Sequence, residues 1–96
     1  MPPRPANVVA TAIAADATAE LRIVNRPGGH LSFEIVAWSN LEDAGGNPHH
    51  VWHIFHPVAA FITDSFDTAV EAALTDARAR LLSVGPVTRV EREQGR

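Results

Sequence analysis

The strongest hydrophobic periodicity lies in the stretch 65–82, SFDTAVEAALTDARARLL. Phe66, Ala69, Val70, Ala73, Leu74, Ala77 and Leu81 recur at spacings of three and four, which places them on one side of an α-helix. Thr63, Asp64 and Ser65 precede the run as candidate N-caps, whose oxygens accept the first free backbone N–H groups. Asp67 and Glu71 lie early and Arg78 and Arg80 late, which suits the helix dipole. Gly85 and Pro86 are expected to stop the helix. Arg80 falls inside the apolar arc, so it must snorkel at the last turn or meet a carboxylate.

Alternation with period two takes over elsewhere. Residues 21–26 and 30–39 alternate apolar and polar around Pro27-Gly28-Gly29, a hairpin with a three-residue loop. Facing Arg26 with His30 also faces Leu21 with Ile35, Ile23 with Phe33 and Arg22 with Glu34. Two apolar pairs and one opposite-charge pair thus agree on one register. Residues 40–50 read as a long loop, with turn chemistry in Gly45-Gly46-Asn47-Pro48. Residues 51–55 form a third strand, which either ends at Pro57 or bends there towards Phe61 and Ile62. A hairpin centred on residue 45 would pair Trp38 with Trp52, Val36 with Ile54 and Glu34 with His56. Residues 87–90 are expected as a short fourth strand.

The stretch 8–19 is ambiguous. Its alanines favour helix, with Val9, Ile13 and Ala17 on one face, whereas Val8, Val9, Thr11 and Ile13 are β-branched and favour strand. A short N-terminal helix is the preferred reading. A secretory leader competes, with Ala-x-Ala at 15–17 or 17–19; the apolar part is short and interrupted by Thr and Asp, so a cytoplasmic chain is expected. Residues 1–7 read as a flexible Pro-rich arm and 91–96 as a charged, fraying tail. The expected fold is thus one α+β domain over 8–90: an antiparallel meander of three to four strands in β-β-β-α-β order, with one long amphipathic helix on one face.

Composition narrows the functions. At 96 residues the chain forms one domain with a modest core, so an oligomer would help its stability. The net charge is −3, and all eight basic residues are arginines scattered among acids, a poor footprint for nucleic acid. There is no cysteine, which excludes disulfides, thiolate metal sites and a cysteine nucleophile. No apolar run reaches the roughly 20 residues of a membrane-spanning helix.

The sheet should have two unlike faces. One, carrying Leu21, Ile23, Leu31, Phe33, Ile35, Ala37, Val51, His53 and Phe55, is the bed for the helix. The other carries Val24, Val36, Trp38, Trp52 and Ile54, with Arg22, Glu34 and His56 as a polar row. Two tryptophans left in water would form a contact patch. The segment 8–19, a second copy of the chain, or a ligand or partner protein would have to cover it. The leading expectation is therefore a small non-enzymatic binding or assembly module that self-associates, as a homodimer, through Trp38, Trp52, Val36, Ile54 and Val24.

The runner-up uses the run HHVWHIFH. His49, His50 and His53 are candidate metal ligands beside His56, with zinc as the possible cofactor. On a helix His49, His53 and His56 would align; on a strand His53 and His56 point to opposite faces, and a second chain would have to supply ligands. No HExxH pattern is present. Glu34 with His56 beside Arg22 has the parts of a general base, and reads more simply as a cross-strand ion pair. Ser32, Ser39, Ser65 and Ser83 stand in no nucleophile-elbow context. No catalytic residue is assigned.

The run TDSFDTAVEAALTDARARL resembles the helix start of HicB-type antitoxin domains, and the strand–strand–strand–helix–strand order fits their half-RNase-H-like architecture. The family's glycine- and proline-bearing turn before the helix is replaced by Pro57-Val58-Ala59-Ala60. The resemblance covers about a fifth of the chain and implies a role in binding a partner protein.

Overall fold

The computed structural model describes residues 5–56 and 61–90. Four strands come first: β1 (Val8–Ile13), β2 (Ala19–Arg26), β3 (His30–Glu42) and β4 (Pro48–Phe55). The helix α1 (Phe66–Ala79) and a two-residue strand β5 (Thr88–Arg89) follow. All neighbours pair antiparallel in the order β4-β3-β2-β1-β5. The molecule is an α+β fold as expected, with five strands rather than three or four.

The extra strand is the stretch read as a short helix. Residues 8–13 form β1, between β2 and the edge strand β5, and no N-terminal helix exists among the described residues. Tertiary pairing decides the case, because β1 buries Ala10 and Ala12 against the core while β2 and β5 take up its backbone groups. A bulge between Val8 and Ala10 lets Val8 face Val24 while Ala10 faces Ile23. Of the expected arm 1–7, residues 1–4 lie outside the described set. Asn7 is tied to β2: its carbonyl accepts from the Asn25 amide at 2.7 Å, and its Nδ2 donates to the Asn25 carbonyl at 3.3 Å. The tail 91–96 lies outside the described residues.

The β2–β3 hairpin has the expected register: Leu21 faces Ile35, Ile23 faces Phe33 and Arg22 faces Glu34. Gly28 and Gly29 hold φ of 88° and 83°, conformations that only glycine adopts without strain. The β3–β4 register also agrees, with Trp38 opposite Trp52 and Val36 opposite Ile54. The loop between these strands is shorter than 40–50, because pairing continues to Glu42 opposite Pro48. Only 43–47 turn, closed by the Asp43 amide donating to the Asn47 carbonyl at 3.0 Å. The expected path through Pro57 lies outside the described residues. Thr63 then returns to β3, exchanging backbone bonds of 2.7 and 2.9 Å with Leu31.

The helix lies on the face bearing Leu21, Ile23, Phe33 and Ile35. Its contact stripe is small: Ala69, Ala73 and Ala77 are buried, flanked by Phe66, Val70 and Leu74 at its margins. Small residues bring the helix axis close to β2 and β3. Ser65 is the N-cap, its Oγ accepting from the Thr68 amide at 3.2 Å.

The helix end departs from expectation. It stops at Ala79, well before Gly85, and Leu81 adopts the left-handed conformation with φ of 61°. Leu82 donates to the Ala77 carbonyl and Leu81 to the Arg78 carbonyl, a Schellman closure that usually employs glycine. Leu81 therefore leaves the apolar stripe and is 93% exposed. Arg80 does meet a carboxylate, Asp76 Oδ2 at 2.7 Å, and its guanidinium lies over the Phe55 ring.

Candidate functional site

The residues singled out on the outer sheet face divide into two groups. Val24 and Val36 are buried, at 3% and 1% exposure. Neither is available as an interface residue, which corrects the expected patch. Trp38 is half-buried, while Trp52 and Ile54 remain exposed at 43% and 54%. The gradient follows position in the sheet. Val24 and Val36 belong to interior strands, whereas Trp52 and Ile54 stand on β4, which has no strand neighbour on its outer side among the described residues. The two indoles meet edge to face, with centroids 6.5 Å apart.

The polar row is also rearranged. Arg22 and Glu34 face each other as expected, with Arg22 Nη1 3.9 Å from Glu34 Oε2. The closer partner of Arg22 is Glu20, two residues back on the same face, whose Oε1 accepts from Arg22 Nε at 2.7 Å. Glu20 and Arg22 are buried at 0% and 2%. Removing both ions from water is expensive and is offset only by such close pairing. The alternating pattern begins at Leu21, so Glu20 falls one position before the readable run, and only its parity with Arg22 and Val24 hints at its place. His56 does not join the row. It follows the end of β4, whose last pair is Phe55 with Ile35, and its carbonyl accepts from Arg80 Nη2 at 3.2 Å. The buried Glu20–Arg22 pair reaches the half-buried Glu34 across β2 and β3, with no acid–base pair of Glu34 and His56 at its end.

The histidines lie on β4 and just after it. His49 and His50 belong to the strand and not to the loop assigned from sequence. His49 pairs across to Leu41 and His53 to Ala37, so both lie on the helix side of the sheet. The helix contacts β2 and β3 and leaves this part of β4 open, where His53 and His49 are exposed. Four residues apart on a strand is about 13 Å, too far for one ion to reach both. The side chain of His50 lies outside the described set. Among the described residues no three histidine or acidic side chains of one chain converge on a metal position.

One polar pair does converge here. The Asp43 carboxylate, at the hairpin tip, accepts from the Asn47 amide at 2.9 Å, the Asn47 Nδ2 at 3.2 Å and the Gly45 amide at 2.8 Å. Its Oδ2 lies 3.3 Å from His49 Nε2. The Asn47 backbone bond, then its side-chain bond and the His49 contact, hold this carboxyl below the usual range for aspartate. A second pair, His30 Nδ1 with Asp64 Oδ1 at 2.7 Å, ties the β2–β3 turn to the segment before the helix. Both of its members are exposed, and the pair serves as a surface link.

Among the described residues no helix is long and apolar enough to cross a membrane. No family model, curated protein or solved structure matches the chain. The resemblance of 63–81 to HicB-type antitoxins rests on that one helical stretch, and the observed order carries one strand more than the antitoxin arrangement.

Proposed function

We propose that the chain is a non-enzymatic assembly module that pairs with a second copy of itself along β4. The observation that carries this reading is the state of that edge. Exposed edge strands are ordinarily protected by lysines, inward-pointing charges, bulges or brevity. β4 runs for eight residues, PHHVWHIF, with a proline only at its start and no Asp, Glu, Lys or Arg in it. Its outer backbone groups form a row about 26 Å long, bordered by Trp52 and Ile54 on one face and Phe55 on the other.

The charge pattern favours a second copy as the occupant. A strand carrying fixed charge repels its own image, and one without it does not. Antiparallel self-pairing about a two-fold axis keeps like faces together, so both copies bury Trp52 and Ile54 in one contact. The two sheets would then join as one ten-stranded layer with both helices on the same side. A metal site within one chain has no comparable support, since His49 and His53 stand too far apart.

The test is sedimentation velocity of the untagged chain across a concentration series, beside Ile54→Lys. The native chain is expected to be dimeric. The variant places an ammonium on the edge and should be monomeric with an unchanged far-UV circular dichroism spectrum. A native chain that stays monomeric at every concentration overturns the reading, and a variant as dimeric as the native chain moves the contact away from β4.

A further inference from the structure

The Asp43–His49 pair sits at the tip of the β3–β4 hairpin, with both side chains exposed. Two ligand atoms about 2.0–2.1 Å from one tetrahedral ion lie about 3.3 Å apart. Asp43 Oδ2 and His49 Nε2 stand at 3.3 Å, both on exposed side chains. The carboxylate is already oriented by the Gly45 and Asn47 amides on Oδ1 and by Asn47 Nδ2 on Oδ2. That separation is that of a hydrogen-bonded pair and equally that of two ligands on one ion, and one chain brings no third histidine or acidic side chain to it among the described residues.

Self-pairing of β4 supplies the remainder. In the register centred on Val51, His49 stands directly opposite the partner's His53, with Cβ atoms about 4.5–5.5 Å apart. Both lie on the helix side of the sheet, at positions α1 leaves open. Centring the pairing on Trp52 or on His53 still brings His53 diagonal to, or opposite, an imidazole of the partner strand. We propose that two copies paired through β4 hold divalent transition-metal ions between them, each ligated by His49 and Asp43 of one copy and the partner's His53. This rests on the β4 pairing argued above. The two-fold axis generates two such sites. Two imidazoles and one carboxylate, without thiolate, suit zinc, nickel or copper in preference to calcium or magnesium. A fourth position is left for water. An ion bound only by the paired state pulls the monomer–dimer equilibrium towards the dimer by mass action.

The experiment uses the untagged full chain, freed of metal with EDTA and then dialysed. Dimer dissociation constants are measured by sedimentation with and without zinc chloride, and zinc binding is measured by calorimetry. Expected are one ion per chain and a dimer about tenfold tighter or more with zinc. His53→Ala and His49→Ala should lose the zinc response, each dimer constant with zinc being compared with the same variant's own metal-free value. Dimerisation that zinc leaves unchanged, with no binding heat, overturns the metal site and leaves the β4 pairing intact. Zinc binding that survives His53→Ala places the ion within one chain and also overturns the shared site. A chain monomeric in both buffers overturns the pairing and the site together.

Discussion

At the scale of single residues, the helix terminus shows a mismatch between side chain and backbone. Leu81 holds φ of 61° and is 93% exposed, so it has the strain of a left-handed non-glycine residue with almost no burial to offset it. Leu81→Gly is predicted to raise the unfolding free energy by about 1 kcal/mol, the relief of strain exceeding the added chain entropy. Urea unfolding checks this: the midpoint should rise with the slope unchanged. A lower midpoint would show that the Leu81 side chain makes a contact worth more than the strain. Sequence periodicity could not expose this position, because spacing alone puts Leu81 on the stripe with Ala77 and cannot see that the helix has already ended. Arg80 was legible for the opposite reason. A charge inside an apolar arc demands a partner, and Asp76, four residues earlier, is placed to provide it.

At the scale of elements, the hairpins with glycine turns were readable and the one without glycine was not. Pro27-Gly28-Gly29 and Gly45-Gly46 each mark a turn, and alternation on either side then fixes the register. The β1–β2 turn has the sequence Ala14-Ala15-Asp16-Ala17-Thr18, which carries no such punctuation. It is held instead by Asp16, whose Oδ1 accepts from the Thr18 hydroxyl at 2.7 Å and the Thr18 amide at 3.1 Å. Ala17 takes the positive φ, 61°, that glycine would normally supply. Chief among the bonds holding the Asp16 carboxyl below its usual value of 3.8 is that from the Thr18 hydroxyl, followed by the Thr18 amide. A depressed folded-state value means that the contribution is complete above the unfolded value and is lost as pH falls through the folded one. Asp16→Ala is therefore predicted to lower the unfolding midpoint at neutral pH, with the gap from the native chain closing below pH 3.8. A gap of constant size across that range would assign the effect to the alanine itself and not to the carboxylate.

At the scale of the whole molecule, the sheet carries its helix on one face and, among the described residues, has no strand beyond β4. α1 starts after β4, crosses over β3 and β2, and delivers β5 to the far edge beside β1. Connectivity thus protects one edge with β5 and leaves β4 at the other. The sequence disclosed the two tryptophans of this end and their pairing. It did not disclose that Val24 and Val36 are buried while Trp52 and Ile54 on the same face are exposed. The two indoles therefore make unequal probes of the proposed pairing. Trp52 stands on the edge, one strand spacing of about 4.8 Å from an incoming partner strand, whereas Trp38 is a spacing further in and already half-buried. In Trp38→Phe, where Trp52 alone emits, dilution through the dimer dissociation constant should shift the emission to the red as the ring returns to water. In Trp52→Phe, where Trp38 remains, the shift should be much smaller. An emission maximum of Trp52 that does not move with concentration would mean that nothing docks against this edge, while equal shifts from both rings would mean that the partner covers the face and not the strand.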